Sequence, residues 1–502
     1  MMFQLLLTCH LLFAAPVPAE NPGLVIVTTQ RIKARSAMLK SFVAEKEAHG
    51  FMVEVITEEQ YGGPEDRGEA RALAIRSYLQ SIEADFSFAL LIGDADPEYG
   101  DVPQWVVWPR HTYPANECVG FALDCRSCLT DYLYADLTGD WDLSGNGQRG
   151  ETALDEGIGG IDFGAELFVG RIPVYFNDVM ELDQILENTI AFMNQDAAEA
   201  AYRERALIGA SFWYFKGQKM TSYTLAEHVD GSDIGEWFVH NTLAPYPEVT
   251  VTKLYETQGA ATSPYGAEQL TREAFIQEWA TGYGMVFWMA HGLETKILRT
   301  TWPADTDADG LADNGEIVAT DMLRSSDATL IGTDCPAFVV GVSCEMGSAE
   351  VPGNLAWSLL YANAAIGVVG SSSTTPASAM EWSDFDAPLE EETIGAGSVG
   401  VRFYESLLGG EYAGKAFYDA KMALGSEGKI EAMAGKMMLN YMGDPSLTIH
   451  VTRADRAPLP ENTTTGGGSG CSTAPHSSQR DALLPMVLLL LGLAAFRMRN
   501  CQ

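Results

Sequence analysis

Gly284-Met-Val-Phe-Trp-Met-Ala-His291-Gly292 and Ala337-Phe-Val-Val-Gly-Val-Ser-Cys344-Glu345 decide the fold of this chain. Each is an apolar run without polar alternation, closed by glycine or a polar residue. Such runs fit parallel strands buried on both faces. In open α/β sheets, ligands bind at the carboxyl ends of the strands. His291 and Cys344 stand at those ends, where they can meet as base and nucleophile. The pairing makes chemical sense because a thiol with an ordinary pKa of about 8.5 is mostly protonated at neutral pH, and a nearby histidine activates it.

Working outward, the same alternation of strand and helix recurs. Residues 24–28, 51–56 and 88–92 read as strands, and residues 35–49 and 69–82 carry apolar positions at helical spacing. After a helical stretch at 178–204 the pattern restarts with a strand at 205–210 and a helix within 221–240. It continues through the two opening strands to a helix at 355–364 and a strand at 365–369. Strands alternating with amphipathic helices predict an α/β protein with a parallel sheet covered on both faces. The hydrophobic content of 47% in 502 residues supports a large core.

Several segments together resemble the gingipain-type cysteine peptidases, which have a caspase-like fold. These are His291-Gly-Leu-Glu-Thr295, Val342-Ser-Cys-Glu-Met-Gly347, Leu90-Leu-Ile-Gly-Asp-Ala-Asp96, Asp131-Tyr-Leu-Tyr-Ala-Asp136, Leu167-Phe-Val-Gly-Arg-Ile-Pro173 and Asn440-Tyr-Met-Gly-Asp-Pro-Ser-Leu447. The matches run in order from about residue 24 to 451. The separation of 53 positions between His291 and Cys344 is close to the roughly 50 by which the caspase histidine precedes its cysteine. The resemblance implies two caspase-like parallel-sheet subdomains side by side in three α/β/α layers, at residues 20–190 and 191–454, the second catalytic. It implies a cysteine endopeptidase acting on protein or peptide substrates through Cys344 and His291, without an organic cofactor. Backbone N–H groups of Gly292 and Cys344 are its implied oxyanion donors, and Trp382 is implied to line the cleft, with an exposed packing aromatic as the alternative.

One departure matters. In the best-known gingipains a carboxylate orients the histidine from a strand end corresponding to residues 208–213, yet no Asp or Glu occurs from Ala206 to Ser222. Neither that acid nor one selecting basic side chains can be carried over. Two other readings therefore stand beside the peptidase: an inactive peptidase-like binding or adhesion module, and an acyl transferase sharing the thioester chemistry. Between the terminal segments, the other histidines, at 49, 111, 228, 240 and 450, lack companions at chemical spacing and read as structural.

Two acidic loops predict structural calcium. Asp305, Asp307, Asp309, Asp313 and Glu316 occupy positions 1, 3, 5, 9 and 12 around Gly310, the oxygen-ligand spacing of an EF-hand loop. Asp140, Asp142, Ser144 and Glu151 repeat it more weakly. A solvated acidic turn is the plain alternative for both.

Both ends read as address labels. Residues 1–19 form a signal peptide with an apolar run and a small-residue cleavage site after Ala19, though no Lys or Arg precedes the run. Residues 455–480 are a polar linker carrying Cys471. Residues 481–502 hold a 14-residue apolar stretch followed by Arg497 and Arg499, short for a spanning helix. This order resembles the C-terminal sorting tail of myxobacterial surface proteins and implies lipid attachment at Cys471, membrane association through the tail and display on an outer surface. A simple tail anchor is the alternative.

A net charge of −37, from 68 acidic against 31 basic residues, argues against nucleic-acid binding, which needs clustered Lys and Arg. With Cys344 as nucleophile, Cys118, Cys125, Cys128 and Cys335 form an even set. In an exported chain these predict disulfides of undetermined connectivity. A zinc site from His111, Cys118, Cys125 and Cys128 is the rival reading.

Overall fold

The computed structural model describes residues 22–450 apart from 64, 113–116, 119–126, 153, 220–223, 333, 375–381, 387–388, 390–394 and 426–429. Signal, linker and tail readings lie outside these residues, as does Cys125. Among the described residues, no helix is long and apolar enough to cross a membrane.

Strands are named in chain order: β1 (Gly23–Val27), β2 (Met52–Ile56), β3 (Phe88–Ile92), β4 (Phe168–Ile172), β5 (Arg205–Ala210), β6 (Phe212–Tyr214), β7 (Val229–Asp230), β8 (Thr250–Tyr255), β9 (Glu268–Gln269), β10 (Met285–Met289), β11 (His291–Leu293), β12 (Lys296–Thr301), β13 (Val318–Arg324), β14 (Ala337–Val342), β15 (Ala365–Ser371) and β16 (Leu439–Gly443). Eleven of them form one sheet in the order β9-β8-β5-β10-β14-β15-β16-β4-β3-β1-β2. The strands before residue 173 occupy one end and those from residue 205 the other. The closing strand β16, antiparallel to β15, joins the halves through the bridge Met442↔Arg171.

Side chains alternate between two cores, which is why these strands read as unbroken apolar runs. Val25 and Val27 enter one core while Leu24 and Ile26 enter the other. Met285, Phe287 and Met289 likewise oppose Val286 and Trp288, and Phe338, Val340 and Val342 oppose Ala337 and Val339. Helices cover each face, including Leu39–Ala48, Val179–Met193 and Leu355–Tyr361 on one and Gly68–Ile82 and Ala396–Leu408 on the other. Burying each large aliphatic side chain contributes about 1.5–3 kcal/mol. The architecture is the expected three-layer α/β/α.

Several of the resembling segments tie the closing strand to the first half. Arg171, after the Val-Gly of β4, donates from Nε and Nη2 to the Asp131 carboxylate at 2.9 and 2.6 Å, and both side chains are buried. The Asp131 N–H donates to the Asn440 side-chain oxygen in β16 at 3.0 Å. Asp444, just past β16, pairs with the buried Lys46 at 2.5 Å.

The sequence reading differs from the structure in three places. The expected helix within 221–240 is preceded by the short strand β7 and begins only at Ser232, running to Trp237 before a wider turn over Phe238–Leu243. Residues flanking the acidic loop at 305–316, to which no strand was assigned, fold the hairpin strands β11, β12 and β13. These join β6 and β7 in a second small sheet over the carboxyl ends of the large one. Third, Cys128, expected in a disulfide, is a buried thiol that burial pushes up to about 12. Its strand Cys128–Thr130 seats it in the apolar core beside Tyr132 and Leu133, away from an oxidising surface.

Candidate active site

Strands β10 and β14 pair in parallel, and the last registered pair is Met289↔Val342. His291 and Cys344 each lie two residues past that pair. They therefore end neighbouring strands, whose spacing in a sheet is about 4.8 Å. The Ala290 N–H donates to Val342 O at 3.2 Å and holds the strand ends together up to the residue before His291.

Gly292 brings the two segments still closer. A Cβ added there would lie 2.3 Å from Cys344 O, 2.9 Å from Cys344 N and 2.9 Å from the Ser343 Cβ. Only glycine permits this backbone contact. Beyond Cys344 the chain turns sharply. The Met346 N–H donates to Cys344 O at 2.7 Å, and Glu345 adopts a φ of 58°, a left-handed conformation that is rare outside glycine. Strained residues of this kind concentrate at functional sites. The turn is anchored by Glu345 N–H to Ser373 O at 3.2 Å and Gly347 N–H to Ser371 O at 2.8 Å.

The orienting group for His291, for which the sequence offers no carboxylate, is a main-chain carbonyl. Nε2 of His291 lies 2.9 Å from the Trp213 oxygen in β6. A carbonyl only accepts, so Nε2 carries the ring proton and Nδ1 keeps its lone pair. Tyr214 packs edge-on against the imidazole, with ring centroids 5.5 Å apart. Burial pulls the histidine below its ordinary pKa, against a smaller opposing effect of the Trp213 bond. No side-chain pattern could have revealed this partner, because any residue type supplies a carbonyl.

Acidic groups lie on the elements that follow β6 and β14. Asp230 ends β7, and its neighbour Gly231 abuts Met289 at the end of β10. Burial pushes Asp230 up to about 6. Asp233, in the first turn of the following helix, accepts from the Tyr265 hydroxyl at 2.7 Å. Both follow the acid-free window that ended at Ser222. On the far side of Cys344, burial, then Glu294, Glu345 and Asp96, push Glu350 up to about 7. Glu294 and Thr295 make the two-residue turn of the β11–β12 hairpin. Trp382 is buried edge-on against Trp237 at 5.4 Å.

The acidic loop at 305–316 brings one carboxylate oxygen each from Asp305, Asp307 and Asp309 within 4.8 Å of one another. The Gly310 N–H closes the turn onto the Asp305 carboxylate at 2.9 Å, with Gly310 at a φ of +75°. The other Asp305 oxygen is buried with no hydrogen-bond partner. These three residues fit a hard cation. Asp313 instead pairs with Lys219 at 3.4 Å, and Glu316 accepts from Thr306 and from Trp302 Nε1. In the second loop the equivalent turn starts two residues later than its spacing predicts. Asp142, not Asp140, receives the Gly147 N–H, at 3.1 Å, while Asp140 caps the Asp142 N–H. Ser144 N–H goes to Asp155 at 3.1 Å, and Glu151 accepts from Asn146 at 2.6 Å.

The other histidines have structural partners among the described side chains. His49 bonds Glu45 O, His450 bonds Leu408 O, His240 stacks on Phe385, and His228 accepts the Lys216 N–H. The backbone pairs His111 with Cys118 across two short strands, and their side chains lie outside the description.

A three-layer α/β/α sheet with a histidine and a cysteine at adjacent strand ends defines a caspase-like protein. The model of peptidase family C25 matches residues 17–450, and the chain belongs to that family of cysteine peptidases. Among solved structures it is similar to the Arg-specific cysteine proteinase gingipain R, at 16% identity and a TM-score of 0.58, over 88% of this chain and 81% of that one. It is also similar to the complex of Porphyromonas gingivalis RgpB pro- and mature domains, at 15% identity and a TM-score of 0.54, over 85% and 80% of the chains. A comparison with curated protein sequences finds no match.

Proposed function

We propose that the chain is a cysteine endopeptidase whose dyad is Cys344 and His291, with the Trp213 carbonyl in the place of an orienting acid. The observation that carries this reading is the 2.9 Å contact from His291 Nε2 to Trp213 O beside a cysteine on the adjoining strand end. That contact leaves Nδ1 as the base, and the lowered pKa keeps it unprotonated near neutral pH.

Nδ1 takes the Cys344 Sγ proton, and the thiolate attacks the substrate carbonyl carbon. The resulting oxyanion is held by the N–H groups of Gly292 and Cys344. Support for Gly292 comes from the hairpin. Leu293↔Lys296 closes the two-residue turn, so the next pair, Gly292↔Ile297, falls at a non-hydrogen-bonded position and its N–H points off the ladder. Collapse of the intermediate breaks the C–N bond, with the proton on His291 passing to the leaving amine. Water, deprotonated by His291, then hydrolyses the thioester.

Asp230, which pairs with Phe212 in the strand of Trp213, is the candidate acid for selecting a basic residue on the acyl side of the cleaved bond. The solved relative described as Arg-specific gives this a precedent. Asp305, Asp307 and Asp309 would hold a structural Ca²⁺, which supplies charge neutralisation and order to the loop. Export through residues 1–19 and surface attachment through residues 455–502 complete the proposal.

The test is labelling of the purified full chain with a thiol-reactive peptidyl electrophile, followed by cleavage of a peptide library. Labelling at Cys344 that is lost in Cys344→Ala, with cleavage after Arg or Lys, is the expected result. A folded wild-type chain that neither labels nor cleaves is a binding module. Products captured by added amines in preference to water make it an acyl transferase.

A further inference from the structure

The dyad chemistry uses only the start of the small sheet, yet the chain invests residues 296–324 in a long hairpin with the acidic loop at its tip. That hairpin folds back onto the segment carrying Trp213. The Ala312 N–H donates to Lys216 O at 2.9 Å, and Asn314 Nδ2 donates to Lys219 O at 3.2 Å. Gly217 packs so closely on Leu311 that an added Cβ would lie 2.4 Å from the leucine Cβ. Trp302, at the end of the hairpin strand, is buried in a small apolar cluster with Phe212, Phe215, Ala261 and Ala312. Its indole meets the Phe215 ring at 6.4 Å and is pinned by Nε1 to Glu316 at 2.9 Å.

Phe212 and Phe215 bracket Trp213 in the chain. The strand that presents the Trp213 carbonyl is only three residues long. It pairs with β12 at Phe212↔Thr300 alone and with β7 through a shifted register. Hydrogen bonds with Thr300 and Met289 hold the strand at Ser211 and Phe212, but no pair with β12 follows Phe212, so packing around Phe215 and Trp302 contributes to the position of Trp213. A hydrogen bond at 2.9 Å is lost once the atoms part beyond about 3.5 Å. A shift of well under 1 Å in β6 would therefore release the imidazole and its tautomer.

We infer that the 296–324 hairpin is a brace for the general base, and that Trp302 is a positioning residue for His291 acting through β6. This rests on the dyad reading above. Loosening the brace should act on turnover, because a misplacement near 1 Å can cost about 100-fold in rate. Substrate binding should change little.

The experiment compares wild type, Trp302→Ala, Trp302→Phe and His291→Ala. It measures kcat, KM and the pH dependence of Cys344 alkylation by iodoacetamide. Trp302→Ala should lower kcat by about 10- to 100-fold with KM within about threefold. Its alkylation curve should move towards that of His291→Ala. Trp302→Phe, which refills the cluster, should restore most of both. Phe215→Leu thins the same contact from the β6 side, and should move the curve in the same direction even where Trp302→Ala does not fold. A folded Trp302→Ala with wild-type kcat and alkylation curve overturns the brace, as does an unchanged Phe215→Leu. An alkylation curve unaffected by His291→Ala would instead overturn the dyad, so the two failures are distinguishable.

Discussion

Gly292→Ala offers a sharp test of the edge geometry, because the substitution adds a single methyl group where the segments carrying the proposed dyad come close together. The new Cβ would sit 2.3 Å from Cys344 O, where ordinary contact begins near 3.4 Å, so the strand ends must separate by about 1 Å. The obstructing atoms are backbone, and no rotamer change relieves them. Overpacking of this kind costs about 1–3 kcal/mol of stability. The larger effect falls on catalysis, since a displacement of about 1 Å between base, nucleophile and oxyanion donors costs about 100-fold, or about 2.7 kcal/mol of transition-state stabilisation. The assay is kcat/KM on a cleavable peptide, with thermal melting to confirm that the variant is folded. A folded Gly292→Ala within about threefold of wild type would refute the close pairing of His291 and Cys344.

Three further outcomes follow from the same geometry. Burial lowers the His291 pKa, so the acid limb of kcat/KM should have its midpoint below the ordinary 6.5. In stability the unfolded chain then binds the proton first. The contribution of His291 is intact above pH 6.5 and is lost as pH falls towards the folded value; an acid midpoint at or above 6.5 contradicts this. Removing Ca²⁺ with EGTA should lower the melting temperature, by mass action worth about 2.7 kcal/mol at 100 times Kd. Asp305→Ala combined with Asp309→Ala should abolish that response, and a melting curve indifferent to EGTA in wild type leaves the loop a plain turn. Lys46→Ala strands the buried Asp444 carboxylate and should cost about 3–5 kcal/mol in denaturant titrations. A loss below about 1 kcal/mol means that the pair does not tie the closing strand to the first half.

What the sequence determined by itself was local and periodic. Unbroken apolar runs such as 285–289 and 337–342 announced strands buried on both faces, because each neighbouring side chain has a hydrophobic core to enter. The positions of His291 and Cys344 at the ends of those runs followed directly, since a strand's carboxyl end is read from where its apolar run stops. The shared edge also depended on register, and the Met289↔Val342 pair is a tertiary fact.

The orientation of His291 was beyond the sequence altogether. Its partner is the carbonyl of Trp213, 78 residues away, and a backbone atom leaves no trace in residue identity. Asp230 was legible as an acid, but only the Phe212↔Asp230 pairing places it on the strand next to that of Trp213. The acidic loop shows the same division. Spacing selects Asp305, Asp307 and Asp309, which local turn geometry gathers, whereas long-range packing turns Asp313 to Lys219 and Glu316 to Trp302. Periodicity encodes which face of an element is buried. Contacts between distant segments depend on how the elements pack, and the placement of the base belongs to that second kind of information.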